Sequence, residues 1–123
     1  MPHIDIDYAD TLSGVLDLPA LVAELHPLVV ERVDSVGVGK TFCRPAAAFV
    51  DGRPGAPFLH VTVGLLAGRT RGVKAALSHD VLALLDKHLS GVEGATYSVE
   101  VRDLDPSYRL YPTHSGAARE STH

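Results

Sequence analysis

Phe58-Leu59-His60-Val61-Thr62-Val63-Gly64-Leu65-Leu66 runs directly into Ala67-Gly68-Arg69-Thr70, and then into Val73, Leu77, Val81, Leu84, Leu85 and Leu89. The first part is a near-continuous apolar run rich in β-branched residues, the composition of a strand at the centre of a sheet. Thr70 can accept from a free N–H of a first helical turn, and the apolar residues after it recur three and four apart. A helix with one apolar stripe therefore follows the strand. Its end is expected near Ser90-Gly91, where glycine can take the left-handed conformation that closes helices. Tyr97-Ser98-Val99-Glu100-Val101-Arg102-Asp103-Leu104 alternates at period two and is closed by Asp105-Pro106, which predicts a second strand.

Upstream the same order recurs. Ile4, Ile6 and Tyr8 alternate with His3, Asp5 and Asp7, a half-buried strand beginning directly after Met1-Pro2. Asp10 to Gly14 is turn-like. Leu18, Leu21, Val22, Leu25, Leu28 and Val29 then fall at helical spacing, with Asp17 as N-cap and Pro19 in the first turn. A break or kink is expected at His26-Pro27, because an internal proline removes a hydrogen bond and clashes with the preceding turn. Val36 to Val50 reads as an irregular strand, loosened by Gly37 and Gly39, with Pro45 pointing to an edge or a bulge. Asp51-Gly52-Arg53-Pro54-Gly55 is a turn. His3-Ile4-Asp5-Ile6 and His60-Val61-Thr62-Val63 open corresponding strands as a faint internal repeat. The expected fold is α/β in the α+β, two-layer sense: two β-α-β units share one mixed sheet, with both helices on one face. The other face is left bare, and packing against identical subunits would cover it.

With 123 residues, 11 Lys+Arg against 15 Asp+Glu and a formal charge of −4, the chain reads as one acidic domain over residues 1–111. Residues 112–123 lack apolar anchors and are expected to form a flexible tail. No basic stripe appears, which argues against nucleic acid. Cys43 is the single cysteine, so no internal disulfide can form, and no apolar run approaches the length of a membrane span. No charged-then-apolar leader is present either, and the expected compartment is the cytoplasm. Gly37-Val38-Gly39-Lys40-Thr41 ends like a phosphate loop. However, Asp34 stands where that pattern needs glycine, and Phe42-Cys43-Arg44-Pro45 opposes the helix that should follow. His79 and His88, nine apart on a helix, face opposite sides, and no metal-binding pattern occurs.

Two residues could carry chemistry. Removal of Met1 would give Pro2 a free secondary amine, and burial beside a cation would lower its pKa toward that of a usable general base. Arg69 lies between a buried strand and a helix N-terminus, where it can fork two hydrogen bonds onto a carboxylate. Taken alone, Pro2 reads as no more than a strand start and Arg69 as a solvated loop residue.

Several segments together give a closer comparison. Pro2-His3-Ile4, Asp17-Leu18-Pro19-Ala20-Leu21, Phe58 to Val63, Ala67-Gly68-Arg69-Thr70, and Tyr97 to Val101 with Asp105-Pro106 resemble the 5-carboxymethyl-2-hydroxymuconate isomerase family of the tautomerase superfamily. The match spans roughly residues 2 to 111 in the same order. The resemblance implies a trimer of β-α-β-β-α-β subunits that isomerises unsaturated dicarboxylates from aromatic-compound catabolism without metal or cofactor. It carries the catalytic base over to Pro2 and the carboxylate-binding arginine to Arg69. A further family arginine in the second strand aligns with Lys40, or in a shifted match with Arg44. Lysine would keep the charge but lose the planar fork.

On this reading Arg69, with Lys40 or Arg44 from this or a neighbouring subunit, holds an unsaturated 2-hydroxy or 2-oxo acid such as 5-carboxymethyl-2-hydroxymuconate. Pro2 takes a proton and returns it further along the conjugated system, while a positive pocket stabilises the dienolate. His3 and His60, at strand starts, are further candidates for the pocket lining. Two alternatives stand beside it: a related decarboxylase or hydratase using protonated Pro2 as acid, and a catalytically silent oligomeric module that binds a small acid or a partner.

Overall fold

The computed structural model describes residues 2–34 and 39–112. Strand β1 (His3–Ala9) leads through a 3-10 turn (Asp10–Gly14) into helix α1 (Leu18–Arg32) and strand β2 (Lys40–Ala46). Two short strands, β3 (Val50–Asp51) and β4 (Arg53–Pro54), form a small hairpin turned at Gly52, whose φ is 72°. Strand β5 (Phe58–Leu65), helix α2 (Arg71–Leu89) and strand β6 (Thr96–Asp103) complete the domain.

The main sheet has the order β2-β1-β5-β6. β1 is parallel to β2 and β5 to β6, while β1 and β5 meet antiparallel at the centre. Each half is thus one β-α-β unit, and the central place expected for Phe58–Leu65 is observed. β2 and β6 lie at the edges, so Pro45, which has no N–H to donate, costs the sheet no internal ladder bond.

Both helices start where a side chain caps them. Ala20 N donates to Asp17 Oδ1 at 3.1 Å, and Val73 N to Thr70 Oγ1 at 3.2 Å. Leu21, Leu25 and Val29 of α1, with Leu77, Val81, Leu85 and Leu89 of α2, are buried against Ile4, Ile6, Leu59, Val61, Val63 and Leu65.

Three local expectations are corrected. α1 runs unbroken through His26-Pro27. An internal proline costs about 3 kcal/mol, but Leu25 and Val29 on either side are fully buried, each worth about 1.5–3 kcal/mol, and they hold the turn in place. Val73 is 43% exposed, so the buried stripe of α2 begins at Leu77. The first turn of α2 is held by its cap and by Lys74 Nζ on Asp103 Oδ1 at 3.2 Å. The left-handed residue after α2 is Gly94, φ 76°, rather than Gly91; the helix closes at Ser90 in the right-handed region, and Val92 N returns to Leu89 O at 2.9 Å.

The face without helices is polar. Strand register sets Lys40, His3, Gly64 and Arg102 abreast in one row, then Phe42, Asp5, Thr62 and Glu100, then Arg44, Asp7, His60 and Ser98. No described helix is long and apolar enough to cross a membrane. Of the expected tail, residues 113–123 lie outside the described residues, as do 35–38 of the glycine-rich approach to β2. The segment after Gly39 is a strand, not the helix a phosphate loop requires.

Candidate active site

β1 and β2 begin, and β5 and β6 finish, at one end of the sheet, where α1 also ends and α2 starts. Pro2 is buried here, and its carbonyl accepts from Lys40 N at 3.1 Å, extending the β1–β2 ladder by one residue. Its ring lies on the helix side. A Cβ built on Gly39 would stand 3.1 Å from Pro2 Cγ and 3.2 Å from His26 Cε1, so the pyrrolidine and the imidazole converge above that glycine. His26 reaches there from α1, and its Nδ1 is 2.7 Å from Thr41 Oγ1.

Arg69 occupies the β5–α2 loop at the same end. Its Nη2 donates to Val33 O at 2.9 Å and its Nη1 to Leu66 O at 3.3 Å. Val33 closes α1, so the guanidinium satisfies a carbonyl at that helix terminus and ties the two crossovers together, while its remaining N–H groups make no hydrogen bond among the described residues.

The other four sequence candidates lie on the opposite face, because side chains alternate along a strand. Lys40 is exposed beside His3. Arg44 sits four residues further along, about 13 Å at strand spacing, and is engaged. Its Nε donates to Asp7 Oδ1 at 2.8 Å, its Nη2 lies 3.4 Å from Asp5 Oδ2, and its guanidinium stands 5.0 Å from the Phe42 ring centre. His60 pairs with Ser98 Oγ at 2.7 Å, in Arg44's row. His3 and His60 are not brought together: their strands are antiparallel, so the two strand starts lie at opposite ends of the sheet.

His3 Nε2 lies 2.9 Å from Tyr108 Oη, with the rings edge to face at 5.2 Å. Burial, and then the charge of Lys40, push the His3 imidazole below its ordinary value, against an opposing pull from Asp5. The residues after β6 fold over this spot. Leu104 N donates to Leu65 O at 2.7 Å, and a Cβ on Gly64 would come within 2.8 Å of Leu104 Cδ2. A cavity of about 420 Å³ lies beside them on the bare face, lined by His3, Asp5, Thr62, Gly64, Arg102 and Leu104 among others. Cys43, half-buried, has its thiol pushed up by burial, which weakens it as a nucleophile. Among the described residues no three metal-ligating side chains gather.

Sequence reasoning missed His26, Thr41 and Tyr108. His26-Pro27 read only as a helix breaker, although position 26 follows the buried Leu25 and so flanks the apolar stripe.

The family model for 5-carboxymethyl-2-hydroxymuconate isomerase (CHMI) matches residues 2–114. No curated protein matches the sequence. Among solved structures, a 5-carboxymethyl-2-hydroxymuconate isomerase from Deinococcus radiodurans R1 superposes with a TM-score of 0.73 at 23% identity, over 94% of this chain and 92% of that one. A fused 4-OT, described as a wild-type symmetric trimer, gives 0.72 at 23% identity over 95% and 98%. N1, a member of the cis-3-chloroacrylic acid dehalogenase family, gives 0.66 at 15% identity over 98% of each.

Proposed function

The chain belongs to the 5-carboxymethyl-2-hydroxymuconate isomerase family, and from that premise we propose that it is a cofactor-independent tautomerase in which Pro2, freed of Met1, is the general base. The substrate is an unsaturated 2-hydroxy or 2-oxo acid of the 5-carboxymethyl-2-hydroxymuconate type. The observation that carries the proposal is the burial of Pro2 at the end of the sheet where Arg69 bridges the two crossovers. Burial of an amine disfavours its protonated form, so the nitrogen stays usable as a base near neutral pH. Arg69 presents its uncommitted N–H groups to a substrate carboxylate. Pro2 takes the proton from the enol oxygen or from a carbon beside the carbonyl, and returns it further along the conjugated chain. The protein works as a cytoplasmic homotrimer, with Lys40, Arg44, His3 and His60 at or near subunit contacts, where Lys40 or Arg44 can serve a neighbouring site.

The first test is the intact mass of untagged protein, because the nitrogen of Pro2 is a non-basic amide while Met1 is attached. Loss of one methionine is expected, and ketonisation of phenylenolpyruvate or 2-hydroxymuconate is then followed spectroscopically. Pro2→Ala should lower kcat about 10²- to 10⁴-fold. Arg69→Ala should lower kcat/KM about 10- to 100-fold, as expected for charged hydrogen bonds of about 1.5–3 kcal/mol. Retained Met1, or a Pro2→Ala protein as active as the parent, sinks the proposal. Product analysis by NMR separates isomerisation from decarboxylation or hydration.

A further inference from the structure

We propose that His26 is a second catalytic residue, the hydrogen-bond donor that holds the enolate oxygen while Pro2 moves the proton. The inference rests on the assignment of Pro2 as base and adds to it a partner from a different element.

Three observations carry it. The His26 ring carbon that links its two nitrogens stands beside the Pro2 ring, both at contact distance from the same point above Gly39. Gly39 has no side chain, and any Cβ there would press on both rings, so this close approach exists because position 39 is glycine. The imidazole is also oriented, since Nδ1 faces Thr41 Oγ1 at 2.7 Å while Nε2 makes no hydrogen bond among the described residues. A ring with one nitrogen fixed by a neighbouring hydroxyl and the other open beside a base is arranged to act on what the base acts on.

Thr41 also determines what the open nitrogen can do. When its hydroxyl donates to Nδ1, the neutral imidazole carries its proton on Nε2, where it becomes a donor. Removing a proton from a carbon next to a 2-oxo group moves the C–H electron pair into a C=C bond and pushes the carbonyl pair onto oxygen. A preorganised N–H lowers the cost of that oxygen's charge. The pair returns as the proton leaves Pro2 for the distal carbon, and His26 ends as it began. Nothing else is consumed.

The experiment compares His26→Ala, His26→Gln, Thr41→Val and Thr41→Ser with Pro2→Ala in the mature protein. Phenylenolpyruvate ketonisation and NMR-detected exchange of enolisable 2-oxo acid protons into deuterium oxide are followed, with a melting curve for each variant. His26→Ala should lose about 10²- to 10³-fold in kcat with KM little changed. His26→Gln, which keeps an N–H, should recover part of that loss. Thr41→Val should lose rate while Thr41→Ser restores it, a rescue that a merely structural role would not give. If His26→Ala and His26→Gln, both folded, turn over like the parent while Pro2→Ala is dead, the His26 role is overturned and Pro2 stands. If only KM rises, His26 binds substrate without stabilising the enolate, and the inference is likewise overturned. A fully active Pro2→Ala protein removes the base itself and takes both readings down.

Discussion

At the residue scale, position 39 decides whether the site can assemble. Pro2 Cγ and His26 Cε1 leave 3.1 and 3.2 Å to a Cβ at Gly39, and neither neighbour yields easily. The pyrrolidine is a rigid ring at the start of β1, and the imidazole is tied to Thr41. Overpacking of this kind costs about 1–3 kcal/mol, which outweighs the roughly 0.4–1 kcal/mol gained when alanine stiffens the unfolded chain. Gly39→Ala should therefore lower the urea midpoint and, by parting Pro2 from His26, reduce turnover more than its stability loss explains. A Gly39→Ala protein as stable and active as the parent would mean that the two rings have room to spare. None of this was legible in the sequence, because Pro2, His26 and the Gly39-Lys40-Thr41 stretch come from three separate segments that only the folded sheet and α1 bring together. Pro2 and Arg69 stood out through a family resemblance spread over the whole chain, since each alone is an ordinary residue.

At the element scale, what could be read was what period and composition decide. Phe58–Leu65 is central because Leu59, Val61, Val63 and Leu65 give it an unbroken buried face, and Asp17 and Thr70 cap because their oxygens reach a free N–H. What could not be read was set by packing: α1 continues through Pro27 because its neighbours are buried. The two helices are also clasped on their outer side, where Glu24 meets Lys87 Nζ at 2.8 Å and His88 Nε2 at 2.9 Å. The Lys87 hydrogen bond foremost, with the charges of Lys87 and His88, holds the Glu24 carboxyl below its ordinary 4.5. A depressed folded-state pKa contributes stability above the unfolded value and loses it as pH falls through the folded one. Urea midpoints should thus fall as pH drops below the carboxyl's ordinary 4.5, and Glu24→Gln should flatten that acid limb. An unchanged acid limb in Glu24→Gln would show that the clasp contributes nothing.

At the scale of the whole molecule, the bare face of the sheet poses the remaining question. A two-layer plate normally covers such a face with something, and an apolar face would have pointed directly to a partner. Here the rows carry Lys40, His3 and Arg102, then Asp5 and Glu100, then Arg44, Asp7 and His60. The charges are already matched in part, since Arg44 neutralises Asp7 and Asp5 within the chain. In water such a cluster contributes little. Enclosed between subunits it becomes expensive to unbalance, because a buried charge that loses its partner costs about 3–5 kcal/mol. Arg44→Glu would set a third carboxylate beside Asp5 and Asp7, and in a closed assembly the defect is repeated once per subunit. Wild-type protein should therefore sediment as a trimer, with Arg44→Glu shifted to monomer at the same concentration and a far-ultraviolet circular dichroism spectrum that stays unchanged. A folded Arg44→Glu trimer would place the subunit contacts elsewhere, and Arg44 could then serve no neighbouring site. Dissociation would instead locate the interface on this face, so that any loss of activity in Arg44→Glu tracks the loss of assembly.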